Sequence, residues 1–230
     1  MSSWSLQKAK SIGMRIPGVD KFVSLILPRA QVFQVAYATR AWGSTESGSG
    51  VGSELAATEN VSAYLPELFH RLQVSKFLDA PCGDWNWMRR VDLSGVDYVG
   101  ADVVSNVVAK DNQQYARSGV RFIHADLTKD YLPAVDMIMC RDCWEHLSFQ
   151  DIAAILKNFR STGATWLLVS NTPSQDKNQN QHTGIGWRHL NLHLPPFSFP
   201  PKTESRKDHY PDVPFEIALW RFADLPEVSL

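Results

Sequence analysis

The sequence has few cysteines, no long apolar run and almost no net charge. Its three cysteines are too few, and odd in number, for a disulfide framework, which indicates a reducing compartment. No apolar stretch reaches the roughly 18 residues of a membrane-spanning helix, and the first residues do not resemble a secretory signal, so a cytoplasmic location is expected. The 23 basic and 24 acidic side chains argue against a nucleic-acid binder that relies on overall positive charge.

The small net charge hides an uneven distribution. The first 40 of the 230 residues carry six basic side chains and one acidic one. Such a segment is either a solvated helical extension or an arm that contacts an acidic partner, an anionic substrate or, weakly, a membrane surface. Glycine and serine then dominate residues 43–53, which favours a loop. This loop is either a flexible linker or a lid whose backbone N–H groups meet a ligand.

The remaining chain alternates short apolar strands with helices. Strands are predicted at 76–80, 98–101, 120–125, 135–140, 165–170 and 215–222, and helices at 54–73, 85–91, 105–116 and 149–159. This alternation predicts an α/β fold with a mostly parallel sheet, helices on both faces and a last strand that runs antiparallel. We expect an N-terminal extension with its loop over residues 1–58 and one domain over 59–230, with a late insertion at about 172–214.

Carboxylates follow three successive predicted strands, at the sheet edge where such folds bind ligands. Asp79 disfavours a phosphate at the first strand, and Pro81 stands where a GxGxxG loop has glycine, which argues against a nicotinamide dinucleotide. Asp102 lies 23 residues further on, close to the spacing at which a carboxylate accepts hydrogen bonds from ribose hydroxyls. Asp126 can accept from an adenine amino group while Leu127 packs on the ring. Each carboxylate alone could instead cap a helix.

The succession Leu78–Gly83, Asp102 and Asp126–Leu127 resembles the S-adenosylmethionine site of the class I methyltransferases. That family implies a seven-stranded sheet and S-adenosyl-L-methionine as the cofactor. Carried over by position, the resemblance implies cofactor contacts from Asp79, Ala80, Cys82 and Gly83 at the methionine part, Asp102 at the ribose, and Asp126 and Leu127 at the adenine, with further contacts from Val103, Cys140 and Arg141.

A narrower resemblance spans most of the chain. The segment Leu78–Met88 reads Leu-Asp-Ala-Pro-Cys-Gly-Asp-Trp-Asn-Trp-Met, and the segments Cys140–Phe149 and Trp187–Leu192 accompany it. Together they are similar to a mostly uncharacterised group of class I methyltransferase-domain proteins. This second resemblance implies methyl transfer but no particular acceptor.

Candidate catalytic residues follow the fourth predicted strand and lie in the late insertion. His146 is a candidate general base because imidazole titrates near neutral pH, and Asp142, a second catalytic candidate, precedes it by four residues. The spacing of Asp142, Glu145 and His146 is also similar to a pattern of ubiquinone-pathway O-methyltransferases, which implies a divalent metal there. The alternative is that Glu145 and His146 orient the following helix, and no metal is expected on that view. Arg188 either binds a substrate anion or hydroxyl or is an ordinary surface ion-pair partner.

The tryptophans suggest what the acceptor looks like. Five of the eight lie beside candidate site segments, namely Trp42, Trp85, Trp87, Trp144 and Trp187. They predict an aromatic-walled pocket that takes a small molecule or a glycan. The favoured function is therefore S-adenosylmethionine-dependent O-methylation of such an acceptor. The alternatives are a cofactor-binding partner subunit without turnover and an RNA or protein methyltransferase, and the oligomeric state stays open.

Overall fold

The computed structural model describes residues 27–208, 214–228 and 230. Four of the six basic side chains in the predicted arm precede residue 27, so most of that arm lies outside the described residues. Within the described ranges, no helix combines the length and the apolar character needed to cross a membrane.

The described chain contains four α-helices and seven strands. The helices are α1 (Arg29–Thr39), α2 (Glu59–Leu72), α3 (Ser105–Tyr115) and α4 (Phe149–Arg160). The strands are β1 (Lys76–Asp79), β2 (Asp97–Asp102), β3 (Val120–His124), β4 (Met137–Cys140), β5 (Trp166–Asn171), β6 (Glu204–Lys207) and β7 (Glu216–Arg221). Short 3-10 turns cover Val51–Ser53, Met88–Arg90, Trp144–His146 and Phe222–Asp224.

The seven strands form one sheet in the order β3-β2-β1-β4-β5-β7-β6. The strands β1 to β5 are parallel, and β7 runs antiparallel to both of its neighbours, β5 and β6. The predicted α/β class, the mostly parallel sheet, the strand count and the antiparallel last strand are all confirmed. The strand order reverses at β1, where the chain crosses to β4, and this is where doubly wound sheets bind ligands.

Helices cover both faces of the sheet. Neighbouring strand residues point to opposite faces, so Phe77 and Leu78 belong to two different hydrophobic clusters. On the Phe77 side, α2 buries the residues Val61, Leu65, Leu68 and Phe69, which follow helical spacing. On the Leu78 side, α4 buries Ile152, Ile155, Leu156 and Phe159. These two layers hold the strand ends rigidly in place.

Three local predictions differ from the structure. The second helix begins at Glu59 rather than residue 54, because the chain before it is closed by turn hydrogen bonds such as Thr58 N–H to the Glu54 carbonyl. The helix predicted at 85–91 is only a 3-10 turn, since Trp85 has a left-handed backbone with φ of +52°. Strand β6 has no apolar alternation because it is a polar edge strand, and its sequence therefore gave no signal.

Candidate functional site

A cleft opens at the carboxyl ends of β1 to β4 and encloses about 950 Å³ of empty space, its open mouth included. One side of the cleft is built by the strand ends. The opposite side is built by residues 27–53, here called the front segment, which comprises α1 and the Gly/Ser loop.

Most of the predicted site residues meet in this cleft. Those that line it are Asp79, Cys82, Gly83, Asp102, Val103, Asp126, Leu127, Arg141, Asp142 and His146. Ala80, Cys140 and Arg188 do not line it. Ala80 and Cys140 are fully buried and pack in the hydrophobic cluster beneath the strand ends. The carboxyl ends of β1 to β4 therefore bring these ten residues together in one cleft.

Asp79 is buried at the end of β1, with 3% of its surface exposed. Its Oδ2 atom accepts a hydrogen bond of 2.7 Å from the Tyr98 hydroxyl. Burial raises the pKa of Asp79 to about 7, although the Tyr98 hydrogen bond and the nearby charge of Arg141 oppose that rise. A positively charged ligand group in the cleft would stabilise the ionised form of this carboxylate.

Asp102 ends the neighbouring strand β2 and is equally buried. Its two oxygens accept from the backbone N–H groups of Gly83 (3.1 Å) and Val104 (2.9 Å). Burial raises the pKa of Asp102 to about 6, against the opposing effect of these two hydrogen bonds. Gly83 has φ of +58°, and a Cβ there would collide with the Ser49 hydroxyl. Only glycine lets the loop after β1 approach both Asp102 and the front segment.

Asp84 anchors the front segment to the loop after β1. Its carboxylate accepts from the Ser47 hydroxyl (2.8 Å), the Gly48 N–H (2.7 Å) and the Ser49 hydroxyl (3.1 Å). The Tyr37 hydroxyl lies 2.6 Å from Ser49 Oγ and extends this network to α1. The backbone N–H of Gly48, in the Gly/Ser loop, thus donates to a carboxylate of the protein itself. Sequence reasoning missed Asp84, although it follows Gly83 directly.

Asp126, at the end of β3, is held by a residue of α1. Both of its oxygens accept from Arg29 Nη1, at 2.8 and 2.7 Å, and Oδ1 also accepts from the Thr128 hydroxyl. Partial burial opposes ionisation, but the Thr128 hydrogen bonds and the Arg29 charge hold the pKa of Asp126 below its usual range. Arg29 Nη2 lies 2.5 Å from Asp151 Oδ1 on α4, and the other oxygen of Asp151 accepts from Thr183.

At the end of β4, Asp142 has an unusual backbone and a fixed side chain. Its φ of +49° is left-handed, which a residue other than glycine adopts only at some cost, and its N–H donates to Ser170 Oγ at 2.8 Å. Trp187, in the late insertion, donates its indole N–H to Asp142 Oδ1 at 2.8 Å. The strain and the indole together aim the Asp142 carboxylate into the cleft.

His146 lies at the cleft wall between the late insertion and the front segment. Its Nδ1 atom is 2.9 Å from the carbonyl oxygen of Gly186, and the Trp42 ring meets it edge-on with centroids 5.5 Å apart. The side-chain amide of Gln181 donates to the same Gly186 carbonyl at 3.2 Å and to the Glu145 carbonyl at 2.8 Å. The front segment and the late insertion therefore both hold the imidazole ring.

Glu145 and Arg188 lie behind this wall rather than in it. Glu145 is fully buried, and within the described part of the chain neither of its carboxylate oxygens has a hydrogen-bond partner. Burial and the charge of Asp142 raise the pKa of Glu145 to about 8, and Arg188 opposes that rise. The guanidinium of Arg188 lies 5.3 Å from the ring centre of Phe149, and burial lowers its pKa to about 10.

Arg141 lines the cleft with its charge already paired. Its guanidinium forms a buried two-point ion pair with Asp208, with both bonds at 2.8 Å, and lies over the Trp87 ring. Of the five tryptophans singled out from the sequence, Trp42 and Trp87 line the cleft. The other three are placed differently: Trp85 and Trp144 are buried in the core, while Trp187 supports Asp142.

Among the residues that the structure describes, no group of three or more histidine, cysteine or acidic side chains is arranged to hold a metal ion. Glu145 is buried and does not line the cleft, whereas His146 and Asp142 do.

Comparison with known proteins agrees with this architecture. Residues 78–162 match a family model described as a methyltransferase domain, whereas no curated protein sequence matches the chain. A solved N1-methyltransferase of 1,6-didemethyltoxoflavin from Burkholderia thailandensis, with S-adenosylhomocysteine bound, superposes with a TM-score of 0.60. It is 17% identical over 84% of this chain and 88% of its own.

Two further solved structures share the fold. Human N-acetylserotonin methyltransferase in complex with SAM has a TM-score of 0.53 and 13% identity over 95% of this chain and 66% of its own. Magnesium protoporphyrin IX methyltransferase from Synechocystis, with SAH bound, has a TM-score of 0.50 and 12% identity over 71% of this chain and 84% of its own. These likenesses fix the fold as that of the class I methyltransferases.

Proposed function

We propose that this chain, which carries a methyltransferase domain with the class I fold, binds S-adenosylmethionine in the cleft and methylates a hydroxyl oxygen of a small ring-shaped acceptor. The observation that carries the proposal is the pair of buried carboxylates, Asp79 and Asp102, at the ends of the adjacent strands β1 and β2. The similar methyltransferases from bacteria and human, solved with S-adenosylmethionine or S-adenosylhomocysteine, support the choice of cofactor.

The residues in the cleft suit that cofactor chemically. Asp102 is held by two backbone N–H groups and would accept from the ribose hydroxyls, each charge-assisted bond contributing roughly 1.5–3 kcal/mol. Asp79, whose pKa is raised by burial, gains most from a neighbouring positive charge, such as the amino group of the methionine part. Gly83 lets the loop after β1 pack closely against Ser49 of the front segment, which brings the two walls of the cleft together. When bound, S-adenosylmethionine supplies a methyl group on a positively charged sulfur.

In the described part of the chain, the walls of the cleft carry aromatic rings, and the arginines among them are paired with carboxylates. Trp42, Trp87 and Tyr37 contribute ring surfaces. The two arginines that line the cleft, Arg29 and Arg141, are both in ion pairs with carboxylates. An anionic acceptor is therefore disfavoured, whereas a neutral ring that carries a hydroxyl suits the walls.

His146 is the group that we assign to proton removal. A carbonyl oxygen can only accept, so the contact with Gly186 places a hydrogen on Nδ1 and the lone pair of the neutral ring on Nε2. In that state His146 can take the proton of an acceptor hydroxyl as its oxygen is methylated. Asp142, oriented by Trp187, is available to hold the acceptor through a second hydrogen bond.

Calorimetry with S-adenosylhomocysteine tests the cofactor assignment directly. We expect micromolar-range binding by the wild-type chain and a loss of roughly 10- to 100-fold in affinity for Asp102→Ala. Asp97→Asn, at the exposed opposite end of the same strand, serves as the matched control and should bind normally. A wild-type chain that binds neither S-adenosylmethionine nor S-adenosylhomocysteine would overturn the proposal.

Turnover separates an enzyme from a partner subunit that only binds the cofactor. S-adenosylhomocysteine formation is measured with a panel of phenols, sugars, amines and carboxylates as acceptors. Activity on neutral hydroxyl acceptors that is lost in His146→Gln supports the enzyme. Tight cofactor binding with no turnover on any acceptor class would favour the binding subunit.

A further inference from the structure

We propose that Arg29 is a cofactor-site positioning residue: it latches the front segment over the cleft and thereby holds S-adenosylmethionine in place. This inference rests on the proposed function, because it concerns the same cleft. It assigns a role to a side chain that precedes the methyltransferase domain and lies 97 positions away from its partner Asp126.

The contacts of Arg29 join three elements at one point. One guanidinium nitrogen binds both oxygens of Asp126, at the end of β3, and the Thr128 hydroxyl at 2.9 Å. The other nitrogen binds Asp151 in the first turn of α4. Asp151 in turn accepts from Thr183 of the late insertion. A planar guanidinium can bridge two carboxylates in this way, whereas the single ammonium group of lysine cannot match both sets of bonds.

The latched segment is a wall of the cleft and not merely a neighbour. Phe33 and Tyr37, on the helix that Arg29 begins, line the cleft together with Trp42 just beyond the helix. The far end of the segment is held by the Trp42 indole N–H, which donates to the Ile185 carbonyl at 3.3 Å, and by the hydrogen bonds of Asp84. Arg29 thus holds the end of this wall that lies at Asp126.

The latch also determines what Asp126 can do. Because Arg29 occupies both carboxylate oxygens, a ligand amino group can reach Asp126 only by sharing an oxygen with the guanidinium. The Thr128 hydrogen bonds and the Arg29 charge together hold the pKa of Asp126 below its usual range. Arg29 therefore positions the acceptor atom for an adenine amino group without having to contact the cofactor itself.

The latch can open, because its members are partly exposed. The exposed fractions are 26% for Arg29, 15% for Asp126 and 17% for Asp151. A partly exposed ion pair keeps some access to water, so salt weakens it, though less than it weakens a fully exposed pair. A cofactor behind the front segment leaves when the latch opens, so loss of Arg29 is expected to act mainly on the dissociation rate.

The test measures S-adenosylhomocysteine binding and dissociation by surface plasmon resonance. We expect Arg29→Ala to weaken affinity by about 10-fold, chiefly through faster dissociation, and Arg29→Lys to fall between it and wild type. Lys129→Ala is the matched control: it removes a positive charge 3.7 Å from the same carboxylate but leaves the front segment untouched. Its affinity for S-adenosylhomocysteine should stay within about twofold of the wild-type value.

Two further measurements test whether Arg29 and Asp151 act together to hold the front segment. Asp151→Asn should speed dissociation as Arg29→Ala does, and the double variant should be no worse than either alone, because both changes open the same latch. In the protein without ligand, Arg29→Ala should increase hydrogen exchange of the α1 amides while β1 and β4 stay protected.

Equal dissociation rates for Arg29→Ala and wild type would overturn the latch and leave the proposed function standing. An equal loss of S-adenosylhomocysteine affinity in Lys129→Ala would also overturn it. The loss would then come from removing any positive charge near Asp126. A wild-type chain that binds no S-adenosylhomocysteine would instead overturn the proposed function, and with it this inference.

Discussion

Nδ1 of His146 lies 2.9 Å from the carbonyl oxygen of Gly186, so a residue of the late insertion selects the tautomer of an imidazole at the end of the fourth strand. The contact places the basic lone pair on Nε2. Replacing His146 with Gln should lower kcat by roughly 100- to 10,000-fold. S-adenosylhomocysteine affinity should change by less than about twofold, because the cofactor carboxylates are untouched.

A His146→Gln variant with full kcat would show that the base is elsewhere. A loss of cofactor affinity as large as the loss of kcat would show instead that the ring supports the cofactor wall. Both quantities are measured on the same preparation, by stopped assays and by calorimetry.

Gln181 should act through His146 without touching the acceptor. Its amide fixes the Gly186 carbonyl, so Gln181→Leu frees that carbonyl and lets the imidazole turn. We expect kcat to fall by about 10-fold and the pH midpoint of kcat to move, with KM for the cofactor unchanged. Gln150→Leu, on the exposed side of α4, is the control. An unchanged pH midpoint would assign Gln181 a structural role only.

Cofactor binding should depend on pH through Asp79. Its pKa of about 7 means that below pH 7 the free protein holds a proton on a carboxylate that a positively charged ligand needs ionised. Affinity for S-adenosylmethionine should therefore rise by up to about tenfold for each pH unit toward pH 7 and then level off. Asp79→Asn should bind more weakly and should keep only the slope below about pH 6 that Asp102 contributes. Calorimetry between pH 5.5 and 8 measures both, and a flat wild-type profile would contradict the assignment.

Stability should depend on pH through Glu145. Its folded pKa of about 8 lies above the ordinary value of 4.5, so its contribution to stability is complete below pH 4.5 and is lost as the pH rises through 8. Glu145→Gln keeps the shape without the charge and should raise Tm at pH 8 more than at pH 5. Each kcal/mol gained corresponds to roughly 2–4 °C in a chain of this size. Thermal unfolding measures the difference, and equal shifts at both pH values would count against a buried, protonated Glu145.

The sequence could predict the strand ends because a buried parallel strand leaves a plain pattern of apolar residues. Asp79, Asp102 and Asp126 follow directly from where those runs stop. Arg29 could not be predicted, since an ion pair with a carboxylate 97 positions away has no local signature. Its partner Asp126 was expected only as an adenine contact.

Two other residues differ from their predicted positions, one because of its backbone conformation and one because of the path of the late insertion. Trp85 was expected beside the cleft, but its left-handed backbone turns the indole into the core, where it meets Tyr98 and Phe122. Arg188 was a candidate for substrate binding, yet its guanidinium packs over Phe149 and does not line the cleft. Neither the sign of a φ angle nor the path of a long insertion is visible in residue spacing.

The buried ion pair between Arg141 and Asp208 should limit which substitutions this chain can accept in evolution. Arg141 belongs to the β4 end of the domain and Asp208 to the close of the late insertion, yet each neutralises the other out of contact with water. Replacing either residue alone would break this buried ion pair, which typically costs about 3–5 kcal/mol. Among descendants of this chain, the two positions should therefore be inherited or replaced together. A late insertion transplanted from a relative should be tolerated only where it brings its own carboxylate.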